Sequence, residues 1–316
     1  MTSIADVARA AGVSPSTVSY VLSGRRPISL ETRERVLAAV REMGYRPHAV
    51  AGALAAGRTG VVGLVAPRTA DLTGVIIHQF ETTILDVCRR HRYDLLLLDP
   101  AEGTADLRRA IESHRVDGVI LMDVDAVDPR VALLESAGIP AVVLGSPGGT
   151  GLPCVDLDFA GAARLAVRHL ARQGRTSVAL LSPPELLGPP GKCYARSARD
   201  GFAAAAGAGQ PVRVCEPTWD GVRGWLAAVG EVDGIVVQHE AALPLLLTLL
   251  RRAGREDVAV VPICPGSIAR QLEAPVDHVE VSVAPMADAA ASALFAQLAR
   301  AGSAPSTIFE PQLVPA

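Results

Sequence analysis

The sequence predicts an α/β protein in two parts: an N-terminal helix-turn-helix head, then a core of two doubly wound parallel-sheet halves. Three observations carry this. Apolar residues recur at helical spacing through the first 43 residues, the head is basic while the remainder is acidic, and from Val61 onward short Val/Ile/Leu runs alternate with helical stretches.

In the head, Ile4, Val7, Ala8 and Ala11 share one helical face. Gly12 stands where a left-handed residue ends a helix at low cost. Ser14 is placed to cap a second helix, with Pro15 in a first turn that needs no amide donor. That helix turns Val18, Val21 and Leu22 inward and leaves Pro15, Ser16, Ser19 and Tyr20 outward. A small, polar helix start is what a DNA major groove admits. Ser29 caps a third helix, whose apolar stripe is Val36, Leu37, Val40 and Met43 up to Gly44. Glu31 and Arg35 are spaced for an exposed i,i+4 pair. Eight arginines against Asp6, Glu31, Glu34 and Glu42 give residues 1–58 a charge of +4, so a chain total of −3 leaves −7 on the remainder. Such asymmetry points to a nucleic-acid contact at one end.

Residues 48–57 are rich in alanine, but Gly52 and the short length make a helix there marginal alone. Beyond it, strands are expected at 61–65, 94–98, 118–122 and 141–144. A second series is expected at 177–181, 212–215, 234–237 and 258–261, and a last strand at 307–310. Helices between successive strands imply buried parallel sheets. Two such halves imply a cleft at the carboxyl ends of their strands.

Several classes are disfavoured. No apolar run reaches membrane-spanning length, and Met1-Thr2-Ser3 does not open a signal peptide. Cys88, Cys154, Cys193, Cys215 and Cys264 show neither disulfide-scaffold nor zinc spacing, which suits the cytoplasm and gives no metal site. The glycine run at 145–151 lacks G-x-G-x-x-G spacing. Gly188 and Gly191-Lys192-Cys193 lack the spacing and the Ser/Thr of a phosphate loop. His169, His239 and His278 are scattered. The sequence offers no case for an enzyme and implies no cofactor.

The spelling of the head, DVARAAGVSPSTVSYVLSG and then PISLETRERVLAAVREMGYRPHAVAGAL, resembles the lactose/galactose-repressor (LacI–GalR) family of bacterial transcription regulators over residues 4–54. The resemblance implies a periplasmic-binding-protein-like core whose cleft takes a small effector. It divides the chain into a head at 1–46, a hinge at 47–60 that orders on operator DNA, and a core at 61–316. Within the core it implies one subdomain at about 61–157 and 282–304, and another at about 158–281 and 305–316.

DNA-contacting positions implied by the resemblance are Ser3, Ile4, Ser14, Pro15, Ser16, Thr17, Ser19, Tyr20, Ser29, Thr32, Arg33, His48, Ala51 and Leu54. Leu54 stands where the family wedges a leucine between base pairs; a plain packing leucine is the other reading. Tyr20 stands where the family commonly has arginine. Effector-contacting positions implied are Asp158, Lys192, Arg196, Arg199, Trp219, His239 and Cys264. Trp219 reads either as a stacking ring or as a core tryptophan. The pattern departs from the family where Phe159 replaces an asparagine, Ala198 an arginine, His239-Glu240 an Asn-Asp pair, and Cys264 lies within a lost Gly-Phe-Asp-Asp. These losses leave few fixed partners for an ordinary sugar. Lys192, Arg196 and Arg199 leave two readings open, an anionic effector or solvated loop charges.

The expected protein is therefore a cytoplasmic, nucleoid-associated homodimer. It binds double-stranded, palindromic operator DNA as a repressor, without membrane contact, under control of a sugar-like or anionic small molecule. The absence of a heptad tail before Ala316 favours a dimer over a tetramer. The alternative is an effector-blind regulator controlled by a protein partner or by abundance.

Overall fold

The computed structural model describes residues 2–23, 26–45, 58–68, 72–184, 191–207, 209–299 and 304–316. The head holds α1 (Ile4–Ala11), α2 (Pro15–Ser23) and α3 (Leu30–Glu42). Ser3 closes a capping box with Asp6, and Gly12 ends α1 at φ +64° with its amide donating to the carbonyls of Ala8 and Arg9. The Ser14 hydroxyl accepts from the Thr17 amide at 3.1 Å, and the Ser29 hydroxyl caps α3 through the Thr32 amide. Val7, Ala8, Ala11, Val18, Val21, Val36 and Ala39 form the buried core, with Ile4, Leu37, Val40 and Met43 packed around it. The expected positions at His48, Ala51 and Leu54, and residues 47–57 of the expected hinge, lie outside the described residues.

The core contains two six-stranded sheets. The first is built from β1 (Val61–Val65), β2 (Asp94–Leu98), β3 (Gly118–Leu121), β4 (Ala141–Leu144), β5 (Cys154–Leu157) and β11 (Thr307–Phe309), in the order β11-β5-β4-β3-β1-β2. All its pairings are parallel. Helices α4 (Leu72–Arg90), α5 (Ala105–Glu112), α6 (Pro129–Ala137) and α12 (Val283–Leu298) belong to this lobe.

The second sheet holds β6 (Val178–Ser182), β7 (Val212–Val214), β8 (Gly234–Val237), β9 (Ala259–Cys264), β10 (His278–Glu280) and β12 (Leu313–Val314), in the order β12-β10-β9-β8-β6-β7. Only β12 runs antiparallel, against β10. Its helices are α7 (Phe159–Arg172), α8 (Cys193–Ala206), α9 (Trp219–Val229), α10 (Leu243–Arg252) and the single turn α11 (Gly266–Ala269). β1, β3, β4, β6 and β8 are buried on both faces or nearly so, which accounts for their unbroken apolar runs.

The chain changes lobe three times, at Asp158, at 281–282 and at 310–312. The expected boundary at 305 needs correction. Thr307, Ile308 and Phe309 pair in parallel with Val155, Asp156 and Leu157, so 307–309 belong to the first sheet and only the segment from about 311 to the second. Three further strands, β5, β10 and the two-residue β12, stand outside the expected series. Asp156, His278 and Glu280 interrupt the apolar signal that marks the other strands.

Both lobes begin with the same device. The Asp117 carboxylate accepts from the amides of Thr59 (2.6 Å) and Gly60 (2.8 Å), fixing the start of β1 to that of β3. In the second lobe Asp233 does the same for the amides of Thr176 and Ser177, at 3.0 and 2.9 Å. The repeat is visible as Arg-Thr-Gly-Val with Val-Asp-Gly-Val (58–61, 116–119), then Arg-Thr-Ser-Val with Val-Asp-Gly-Ile (175–178, 232–235).

Helices α7 and α8 cross at Gly201, where an added Cβ would lie 2.2 Å from the Ala160 carbonyl oxygen. Helix propensity alone would make Gly201→Ala stabilising by about 1 kcal/mol. Collision with backbone, which cannot rotate away, reverses the sign, and we expect a net loss of about 1–3 kcal/mol. Urea unfolding checks this; an unchanged or raised midpoint would mean the two helices stand farther apart.

Candidate functional site

The carboxyl ends of both sheets face a common cavity of about 380 Å³ between the lobes. Its apolar wall includes Ile76, Ile77, Phe80, Met122, Phe159, Ile263, Val281 and Met286; its polar groups are Arg68, Thr73, Asp123, Asp156, Tyr194, Gln238, His239 and Glu240. Phe159 opens α7 and Tyr194 lies in the first turn of α8, so the Gly201 crossing brings their rings together at 5.7 Å and 51°.

Asp156 sits at the carboxyl end of β5 and is buried. Burial pushes its carboxyl up to about 6, against the opposing hydrogen bonds from the Ser146 hydroxyl and the Leu157 amide. Gln238 follows β8. Its amide NH₂ donates to the Tyr194 carbonyl at 2.9 Å, while its Oε1 is buried with no hydrogen-bond partner. Such an orphan acceptor costs about 1–3 kcal/mol unless something fills the site. His239 is buried beside it, and its Nδ1 lies 3.1 Å from the Cys215 carbonyl. A carbonyl only accepts, so Nδ1 carries a proton.

The lobes are clasped on both flanks of this cavity. On one flank the Thr73 hydroxyl donates to Glu240 at 2.8 Å and the Gln79 amide to the Ser267 hydroxyl at 3.0 Å. On the other, the Lys192 ammonium lies 2.9 Å from the Asp123 carboxylate, 3.2 Å from that of Asp125 and 2.9 Å from the Asp123 carbonyl. Burial works against the Lys192 ammonium, but the charges of Asp123 and Asp125 outweigh it and raise its pKa. Backbone bonds from Cys193 to Val124 (3.0 Å) and from Ala126 to Gly191 (3.1 Å) extend the same clasp.

Asp123 takes a left-handed conformation at φ +54°. For a residue other than glycine that conformation persists only when its surroundings impose it. Here Lys192 holds the carbonyl and carboxylate, and the Arg130 guanidinium donates to the same carbonyl at 2.9 Å. Arg130 is itself buried against Asp128, whose carboxylate accepts from the Asp125 amide. The whole loop is therefore shaped to present two carboxylates to one lysine.

Of the expected effector positions, only His239 lines the cavity. Lys192 is spent on the interlobe clasp. Asp158 caps α7 through the Gly161 amide and pairs with Arg164. Arg199 pairs with Asp200 beside it on α8, and Arg196, one turn into α8, is not part of the wall. Cys264 is fully buried against Ile268 and Ala269, with its thiol pushed up to about 12 by burial. Trp219 is neither in the cavity wall nor in the core: it is 43% exposed at the start of α9, with the Arg252 guanidinium 5.1 Å from its ring centre. The residues the sequence reading missed are Asp156, Phe159, Tyr194, Gln238 and Glu240. A lone carboxylate in the apolar run Cys-Val-Asp-Leu was the available signal.

In the head, Ser3, Ser14, Pro15, Ser16, Ser29 and Arg33 are exposed, while Ile4, Thr17, Ser19, Tyr20 and Thr32 are half-buried. The hydroxyls of Ser14, Ser16 and Thr17 form one cluster at 2.8–2.9 Å, and those of Ser29 and Thr32 meet at 2.9 Å. The Arg26 guanidinium stands 5.4 Å from the centre of the Tyr20 ring.

Residues 3–48 match the model for bacterial regulatory proteins of the lacI family. Residues 79–216 match the periplasmic binding proteins and sugar binding domain of the LacI family, and residues 167–315 a periplasmic binding protein-like domain. The transcriptional regulator AglR of Rhizobium meliloti is 39% identical over 181 residues, 56% of this chain and 51% of AglR. RafR of Escherichia coli is 36% identical over 185 residues, 57% of this chain and 55% of RafR. The chain thus spans about half the length of the curated relatives it matches. The lac repressor dimer bound to operator and an anti-inducer superposes with a TM-score of 0.82 at 20% identity, over 99% of this chain and 97% of that one. CelR in complex with cellobiose gives 0.69 at 24% identity, over 99% and 98%. Both structural likenesses concern the fold.

Lys192→Met should part the lobes, because it leaves two carboxylates facing each other without a cation. Small-angle scattering should show a larger radius of gyration than wild type at low salt, and salt should expand the wild type alone. Equal radii at all salt concentrations would remove Lys192 from the clasp.

Proposed function

The chain belongs to the LacI family of bacterial regulatory proteins, and from that premise we propose that it is a sequence-specific DNA-binding transcription regulator, a repressor, and not an enzyme. It binds a near-palindromic operator as a homodimer in the cytoplasm, and a small molecule in the interlobe cavity modulates that binding. Among the described residues no helix is long and apolar enough to cross a membrane.

One observation carries the reading. Helix α2 sinks Val18 and Val21 into the head while leaving Pro15 and Ser16 exposed at its start, inside the segment that matches the lacI-family model. A helix start that is small, polar and backed by a rigid three-helix core fits a major groove. The relatives add support: AglR and RafR are transcriptional regulators by name, the lac repressor dimer is seen on its operator, and CelR holds cellobiose. Leu54 is proposed as the minor-groove wedge of the hinge.

Coupling between cavity and head requires only that a ligand favour one lobe arrangement over another. The clasps of Lys192 and of Thr73 with Glu240 make two arrangements physically distinct, since each can be made or broken as a unit.

Selection of bound sequences from random duplexes tests the reading. Wild type should enrich a site with dyad symmetry and half-site centres about one helical turn apart. Tyr20→Arg should shift one symmetric pair of positions toward guanine, because a guanidinium takes O6 and N7 together, worth about 1–3 kcal/mol. Other positions should keep their preferences, held by phosphate contacts. A site without dyad symmetry would overturn the dimeric reading, and identical preferences would turn Tyr20 away from the bases.

A further inference from the structure

Resting on the reading of the interlobe cavity as an effector site, we infer that its ligand is an organic cation: an amine carried on a flat apolar or aromatic body. Two features of the wall support this together, the sign of its polar groups and the character of the rest.

Several of the wall's polar groups are acceptors. Gln238 Oε1 is buried in the cavity wall without a partner while its NH₂ is already committed to the Tyr194 carbonyl. His239 directs Nδ1 at the Cys215 carbonyl, so that nitrogen is already committed. Asp156 adds a buried carboxylate to the wall, beside those of Glu240, which accepts from Thr73, and Asp123, which Lys192 already holds. An orphaned acceptor among carboxylates asks for N–H groups, and positive charge is what a buried carboxylate lacks.

The cations nearby are already engaged. Arg68, the guanidinium in the wall, is 76% exposed and bound to Asp99 at 2.9 Å. Lys192 is held by Asp123 and Asp125, Arg130 by Asp128, Arg164 by Asp158 and Arg199 by Asp200. Residues 69–71 and 185–190, which follow Arg68 and precede Gly191 in the sequence, contain no lysine or arginine. An anionic ligand would therefore meet carboxylates with no cation to receive it.

The remaining surface suits an amine better than a polyol. A polyol needs donors as well as acceptors spread around it. Here Phe80, Phe159 and Tyr194 supply aromatic side chains, and Met122, Met286, Ile76 and Val281 supply apolar contact. Ring faces attract cations, most strongly where water is excluded.

Calorimetric titration of the full chain with two charge-matched series decides the matter. One series is 2-phenylethylamine, 2-phenylethanol and phenylacetate; the other is glucosamine, glucose and gluconate. The amine should be the tightest binder of the phenyl series, by about tenfold or more over the alcohol, with phenylacetate weakest. Gln238→Leu and, independently, Asp156→Asn should each weaken the amine several-fold and leave the alcohol nearly unchanged. Tightest binding by glucose, an alcohol or an acid would overturn the ligand class and leave the effector site standing. Amine binding that ignores both substitutions would place it outside the cavity and overturn the inference. Silence from all six compounds at millimolar concentration would overturn the inference together with the effector reading, in favour of a regulator that senses no ligand.

Discussion

Lys192, the only lysine in the sequence, joins the two lobes through Asp123 and Asp125 on one flank of the cavity between them. Two parallel sheets that present their carboxyl ends to one another form an open gap by themselves. Enclosure requires polar groups that reach across and find partners where water is partly excluded. The opposite flank uses neutral or singly charged partners, Thr73 with Glu240 and Gln79 with Ser267, whose net contributions are about 0.5–1.5 kcal/mol each for neutral pairs and more where a carboxylate accepts. The lysine side concentrates more charge, and it holds Asp123 in a backbone conformation that residue would not adopt freely. A clasp of this size is strong enough to set a preferred lobe arrangement and weak enough for a ligand to shift it by a few kcal/mol.

The same contact explains why the cavity is acidic. The loop after β3 brings Asp123, Asp125 and Asp128 together against Lys192 and Arg130, so cations are used up in holding the architecture. What lines the interior besides is Asp156, Glu240, Gln238 and His239, set among aromatic and aliphatic side chains. Asp156 shows the consequence, its carboxyl lifted to about 6 by burial while remaining a hydrogen-bond acceptor from Ser146 and Leu157.

Local signals in the sequence were read correctly wherever the physics is local. Gly12, Ser14 and Ser29 marked the helix boundaries of the head, and the Val/Ile/Leu runs located most strands to within a few residues. Long-range pairings were not legible. Lys192 reads as a free loop cation until Asp123, some seventy residues earlier, is brought beside it. The burial of Asp156 is likewise not legible locally, because it comes from the sheet around β5. Trp219 reads from the sequence either as a stacking ring or as a core tryptophan; in the fold it is 43% exposed, with Arg252 over its ring. β11 was assigned to the wrong lobe because nothing in Thr-Ile-Phe announces which sheet edge it will extend.

The chain leaving the hinge is anchored on the first lobe: the Arg58 guanidinium donates to the Leu298 carbonyl at the end of α12, and Thr59 and Gly60 donate to Asp117. A movement of the first lobe would therefore carry residues 58–60 with it. The most direct measurement is the affinity of wild type and Lys192→Met for the wild-type selected operator, by fluorescence anisotropy at equal salt. The account predicts that the two differ by about fivefold or more, a coupling of about 1 kcal/mol, with the head's own helices unchanged. Equal affinities, with scattering showing the lobes of the variant parted, would contradict it.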